Sequence, residues 1–76
     1  MTKETLMSAI EAEGYVISTV IQDTKYHDVK LHRISAEGPA GTAQLTLMMA
    51  DELRENHEIQ LETAFLELLT LIKDAA

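Results

Sequence analysis

The chain has no cysteine and no tryptophan, one proline, three glycines and one phenylalanine among its 76 residues. Without cysteine there is no disulfide framework, no thiolate nucleophile and no thiolate metal site. A domain of this size lies near the lower limit at which one core suffices, so it must pack that core efficiently or share it with a partner. Bases are scarce as well: six Lys and Arg stand against thirteen Asp and Glu, a net charge of −7. That balance disfavours direct contact with nucleic acid or anionic lipid and favours a protein partner with a basic surface. No apolar run approaches the length of a membrane span. The opening MTKETLMSAI carries Glu4 and no apolar signal core, which makes a cytoplasmic address the expectation.

What is present is periodic. From Thr2 to Glu13 the apolar residues Leu6, Met7, Ala9 and Ile10 recur at helical spacing, and Gly14 supplies the residue best able to end a helix in the left-handed conformation. YVISTVIQDT is rich in β-branched residues, with Val16 and Val20 on one face and Ile17, Thr19 and Ile21 on the other. Apolar character on both faces predicts a central strand. A polar turn near Thr24 and Lys25 leads into DVKLHRI, where Val29 and Leu31 alternate with Lys30 and His32, as in a more exposed second strand of a hairpin. TAQLTLMM alternates Ala43, Leu45, Leu47 and Met49 against Thr42, Gln44, Thr46 and Met48, a strand pattern, although Leu45, Met48, Met49 and Leu53 also fit a helix. Leu61, Phe65, Leu68, Ile72 and Ala75 follow 4-3-4-3 spacing, and Ala64, Leu69 and Leu71 widen this into a broad apolar face. An unbroken helix from Asp51 would put Arg54 and His57 on that same face, so either its first turns overhang the core or it breaks near Asn56. The expected fold is a single α+β domain over residues 1–76: a helix, a three-stranded antiparallel sheet, and a C-terminal helix packed on one face. The alternative order is α-β-β-α-α, with residues 42–56 helical.

Little in the chain resembles catalytic machinery. The stretch SAEGPAGTAQ, residues 35–44, contains two glycines and the proline, but a Walker-type phosphate loop needs a lysine that is missing here, and Glu37 adjoins the turn. A strand-connecting turn is the expected role. His27 and His32 point to opposite faces of a regular strand and His57 is distant in sequence, so no metal site is expected. Ser8, Ser18 and Ser35 belong to no nucleophile motif. Asp51 and Glu55 lie one helical turn apart, with no sign of the apolar cleft that acid catalysis requires. The expectation is a protein with no enzymatic activity and no cofactor.

Charge and apolarity converge on the C-terminal segment. Residues 50–76 hold seven acids and two bases, against −2 for residues 1–14 and balance in residues 15–49. On a continuous helix Asp51, Glu55, Glu58 and Glu62 form an acidic stripe about 16 Å long, with Arg54 the only base nearby. Ile59 and Leu66, seven residues apart, point away from the main apolar face and offer the desolvated centre that a charged rim lacks. These six residues are the candidate partner-binding set. In size, acidity and lack of cysteine and motifs the chain resembles the inhibitors that phages and mobile elements make against host nucleases, anti-CRISPR proteins among them. This resemblance of general type covers no motif. It implies a non-catalytic inhibitor or modulator that presents an acidic helix to a basic, nucleic-acid-binding or nuclease target. The alternative is a small structural subunit or homodimeric accessory protein in which acidity serves only solubility.

Overall fold

The computed structural model describes residues 2–50 and 54–75, the side chains of residues 54–56 excepted. Within them the chain runs α1 (Lys3–Ala12), β1 (Val16–Asp23), β2 (Val29–Gly38), β3 (Gly41–Ala50) and α2 (Arg54–Ala75). The strands form an open antiparallel sheet in the order β1-β2-β3, and both helices contribute to a core against one face of it. Residues 42–49 are therefore strand, and the alternative helical order does not hold. Period-two alternation outweighs the helical reading because it places Leu45 opposite the buried Ile34, and Ala43 opposite the buried Ala36.

Local chemistry accounts for the boundaries. Thr2 caps α1, its hydroxyl accepting from the Thr5 backbone N–H at 3.2 Å, and Glu4 sits in the positively polarised first turn. Gly14, at φ +90°, ends it as expected. The β1–β2 connection is organised by the Thr24 hydroxyl, which accepts from the Tyr26 N–H at 3.1 Å and lies 2.9 Å from the Val29 carbonyl. The glycine-proline stretch is a two-residue reversal, Pro39-Ala40, between paired Gly38 and Gly41. Proline forbids the positive φ that a primed hairpin turn needs, so the left-handed residue comes just after the turn, at Gly41 with φ +116°. Tyr15 pins this turn. Its buried ring lies against Gly38, where a Cβ would stand 2.6 Å from ring carbons, and its hydroxyl accepts from the Ala40 N–H at 3.3 Å.

The core joins Leu6 and Ile10 of α1, Tyr15, Ile34 and Ala36 of β2, and Ala64, Phe65, Leu68, Leu69 and Ile72 of α2. Two expectations about its layout are reversed. β2, read as the more exposed strand, is central and carries the buried Ile34 and Ala36; β1, read as central, is an edge, with Val16 72 % and Ile21 60 % exposed. β-Branched content reports fitness for a pleated surface and not position within a sheet. Leu71, assigned to the buried face of α2, is 46 % exposed, and Ala75 is exposed too. Leu71 lies about 80° round the helix from the centre of the buried face, on the flank beside Leu45 of the edge strand β3.

Beyond the core, Lys30 pairs with Asp23 across the β1–β2 register. The hydrogen bond and charge of the ammonium hold the Asp23 carboxyl below the usual carboxylate range. The pair's contribution is therefore present at neutral pH and fades as pH falls through that lowered value. NMR titration is expected to find the Asp23 carboxyl below the usual carboxylate range, with Lys30→Met returning it to that range; an unchanged Asp23 titration in that variant would refute the pairing.

Candidate protein-binding surface

α2 is unbroken from Arg54 to Ala75, so there is no break near Asn56. Its start is held over the end of β3 by His57, whose Nε2–H donates to the Ala50 carbonyl at 2.8 Å. The His57 ring also meets that of His32 edge to face, with centroids 6.3 Å apart. The fold thus brings together two histidines that sequence separation kept apart, yet no group of three metal-ligating side chains occurs among the described residues. Ser18 and Ser35 face one another across β1 and β2, whereas Ser8 lies on α1.

The inward side of α2 is set by Leu61, Phe65, Leu68 and Ile72, with Ala64 and Leu69 on its flanks. Directly opposite, Ile59 is 62 % and Leu66 51 % exposed. Between and beyond them stand Thr63 and Thr70, so the outward side carries its own 4-3-4 stripe: Ile59, Thr63, Leu66, Thr70. Each threonine hydroxyl donates to the carbonyl four residues back, Thr63 to Ile59 at 3.0 Å and Thr70 to Leu66 at 2.9 Å. With both hydroxyls turned onto the backbone, the threonines present their methyl groups alongside the two aliphatic side chains. The outcome is a continuous apolar line about 16 Å long. Sequence reasoning found Ile59 and Leu66 but missed the threonines; their placement four residues after each aliphatic residue was the available signal.

Acids border this line. Glu58 and Glu62 lie on one side, one helical turn apart, and Glu67 on the other. Asp51 lies outside the described residues, as does the side chain of Glu55. Glu58 is not as free of basic neighbours as Arg54 alone implied: Lys3 of α1 reaches its Oε1 at 3.2 Å and stands 4.0 Å from Glu4. Helix–helix packing places a cation 55 residues away in sequence beside the acidic row. The Glu58 side chain remains 60 % exposed, and a pair of that kind contributes at most about 1 kcal/mol. On the Glu67 side the stripe descends into shallow hollows against β3, lined by Leu45, Leu47, Met48 and Leu71. No helix of the described residues is long and apolar enough to cross a membrane. No family model matches the chain, and neither does any curated protein or solved structure.

Proposed function

We propose that the protein is a non-catalytic protein-binding module that docks a basic partner on the outward side of α2. The observation that carries this reading is the apolar stripe Ile59-Thr63-Leu66-Thr70 with Glu58 and Glu62 on one side and Glu67 on the other. An apolar centre gives up its water readily, and an acidic rim on a chain of net charge −7 steers a cationic surface to it. A nucleic-acid-binding protein or nuclease has the required charge, and occupation of its cationic groove by α2 would make this chain an inhibitor or modulator.

The test is capture of proteins from lysate of the cells that make the chain, at low and moderate salt, with wild type and a Glu58→Gln/Glu62→Gln variant side by side. A basic protein held by wild type at low salt, weakened by salt and by the charge-neutral variant, is the expected result. Equal capture by both proteins at both salt levels would refute the acidic rim.

A further inference from the structure

β1 combines features that a finished edge strand does not have. The stretch Val16 to Gln22 includes no charge and no proline, whereas natural edge strands are commonly protected by charged side chains, proline or bulges. The other edge, β3, is equally uncharged, but its inward residues Ala43, Leu45 and Leu47 pack on the core beside α2. Ile17 packs against the core, but further along the same face Thr19 and Ile21 are exposed, and on the other face so are Val16 and Val20. Val16, Val20 and Ile21 are thus exposed on a strand that, among the described residues, has a neighbour on one side only.

We infer that β1 is the seam of a two-fold homodimer, in which it pairs antiparallel with β1 of a second copy. A two-fold axis normal to the sheet keeps all helices on one side, which requires facing residues to share a face and hence to be an even number apart. Centring that axis on Thr19 pairs all seven uncharged residues and leaves Asp23 outside. Ile17 then meets Ile21 of the second copy and Thr19 meets Thr19 on the helix side; Val16 meets Gln22 and Ser18 meets Val20 on the other. Shifting the axis to Val20 brings Asp23 against Ile17, and shifting it to Ser18 leaves Ile21 and Gln22 unpaired.

Charge selects a second copy over a basic partner as the occupant. Residues 16–22 hold no acid with which to recruit a cation, the strand's one acid being Asp23 at its end, and two chains of net charge −7 associate most readily where no like charges oppose. At each end of the seam the Asp23 carboxylate is already engaged by Lys30. The product is a six-stranded sheet in the order β3-β2-β1-β1-β2-β3. It closes on itself, and both α2 stripes stay free because α2 lies along β3, at the far edge. The inference is independent of what α2 binds.

Sedimentation equilibrium over a range of concentrations tests it. Wild type is expected to reach twice the 8.5 kDa chain mass and go no further. Thr19→Lys, which sets two ammonium groups face to face, is expected to weaken the dimer by about tenfold or more, while Thr46→Lys on the exposed face of β3 leaves it intact. Because the chain has no cysteine, Thr19→Cys supplies a second readout that survives a folding defect in the lysine variant: rapid symmetric disulfide formation, absent from Thr46→Cys. A wild type that stays monomeric, growth into open-ended polymers, or loss of the dimer in Thr46→Lys but not Thr19→Lys would each overturn the inference.

Discussion

Leu68→Ala is expected to cost about 2–5 kcal/mol of folding free energy, and Leu66→Ala, two residues earlier on the same helix, about 0.5 kcal/mol or less. Leu68 is fully buried between α2 and the rest of the core, so its truncation removes apolar contact and leaves a cavity that the neighbours only partly fill. Leu66 is 51 % exposed, and its loss opens no cavity. For a chain of 76 residues the whole stability is about 4–11 kcal/mol at the usual value per residue, which puts Leu68→Ala close to the unfolding threshold. Chemical denaturation followed by far-UV circular dichroism measures both. Equal costs would mean that α2 docks on the sheet by a different face.

Ile59→Asp combined with Leu66→Asp is expected to abolish partner binding while leaving the fold in place. The double variant is the sharper probe of the stripe because it makes the chain more acidic. If attraction to a basic surface were purely electrostatic, two added carboxylates would strengthen it. If the apolar line supplies the desolvated centre, burying two carboxylates there carries a penalty that long-range attraction does not offset, and an affinity loss of about 100-fold or more follows. The unfolding midpoint of the variant should stay near that of wild type, since neither side chain belongs to the core.

The sequence disclosed those elements whose patterning a single chain satisfies by itself. Thr2 and Gly14 bound the first helix through local hydrogen bonding and backbone freedom, and the period of two from Ala43 to Met49 specified a strand because one face had to meet Ile34 and Ala36. Leu61, Phe65, Leu68 and Ile72 reported the buried line of α2 for the same reason. Position within the sheet was not legible: β1 and β2 exchanged places because side-chain composition does not record which strand has neighbours on both sides. What marks β1 for a second copy is the exposure of Val16, Val20 and Ile21 on an edge of the sheet. At the candidate surface Ile59, Leu66, Glu58 and Glu62 were all visible from spacing alone. The approach of Lys3 to Glu58 depended on the packing of two helices far apart in sequence, and the apolar character of Thr63 and Thr70 on hydroxyls turned to the backbone.

The most direct measurement of the central claim is the affinity of the captured basic partner, once purified, for three proteins: wild type, Glu58→Gln/Glu62→Gln and Ile59→Asp/Leu66→Asp. Titration calorimetry at two salt concentrations gives both the strength of binding and its salt dependence. An acid-rimmed apolar stripe predicts weaker, less salt-sensitive binding for the first variant and no detectable binding for the second, with all three chains folded. Binding by Ile59→Asp/Leu66→Asp as tight as that of wild type would contradict it.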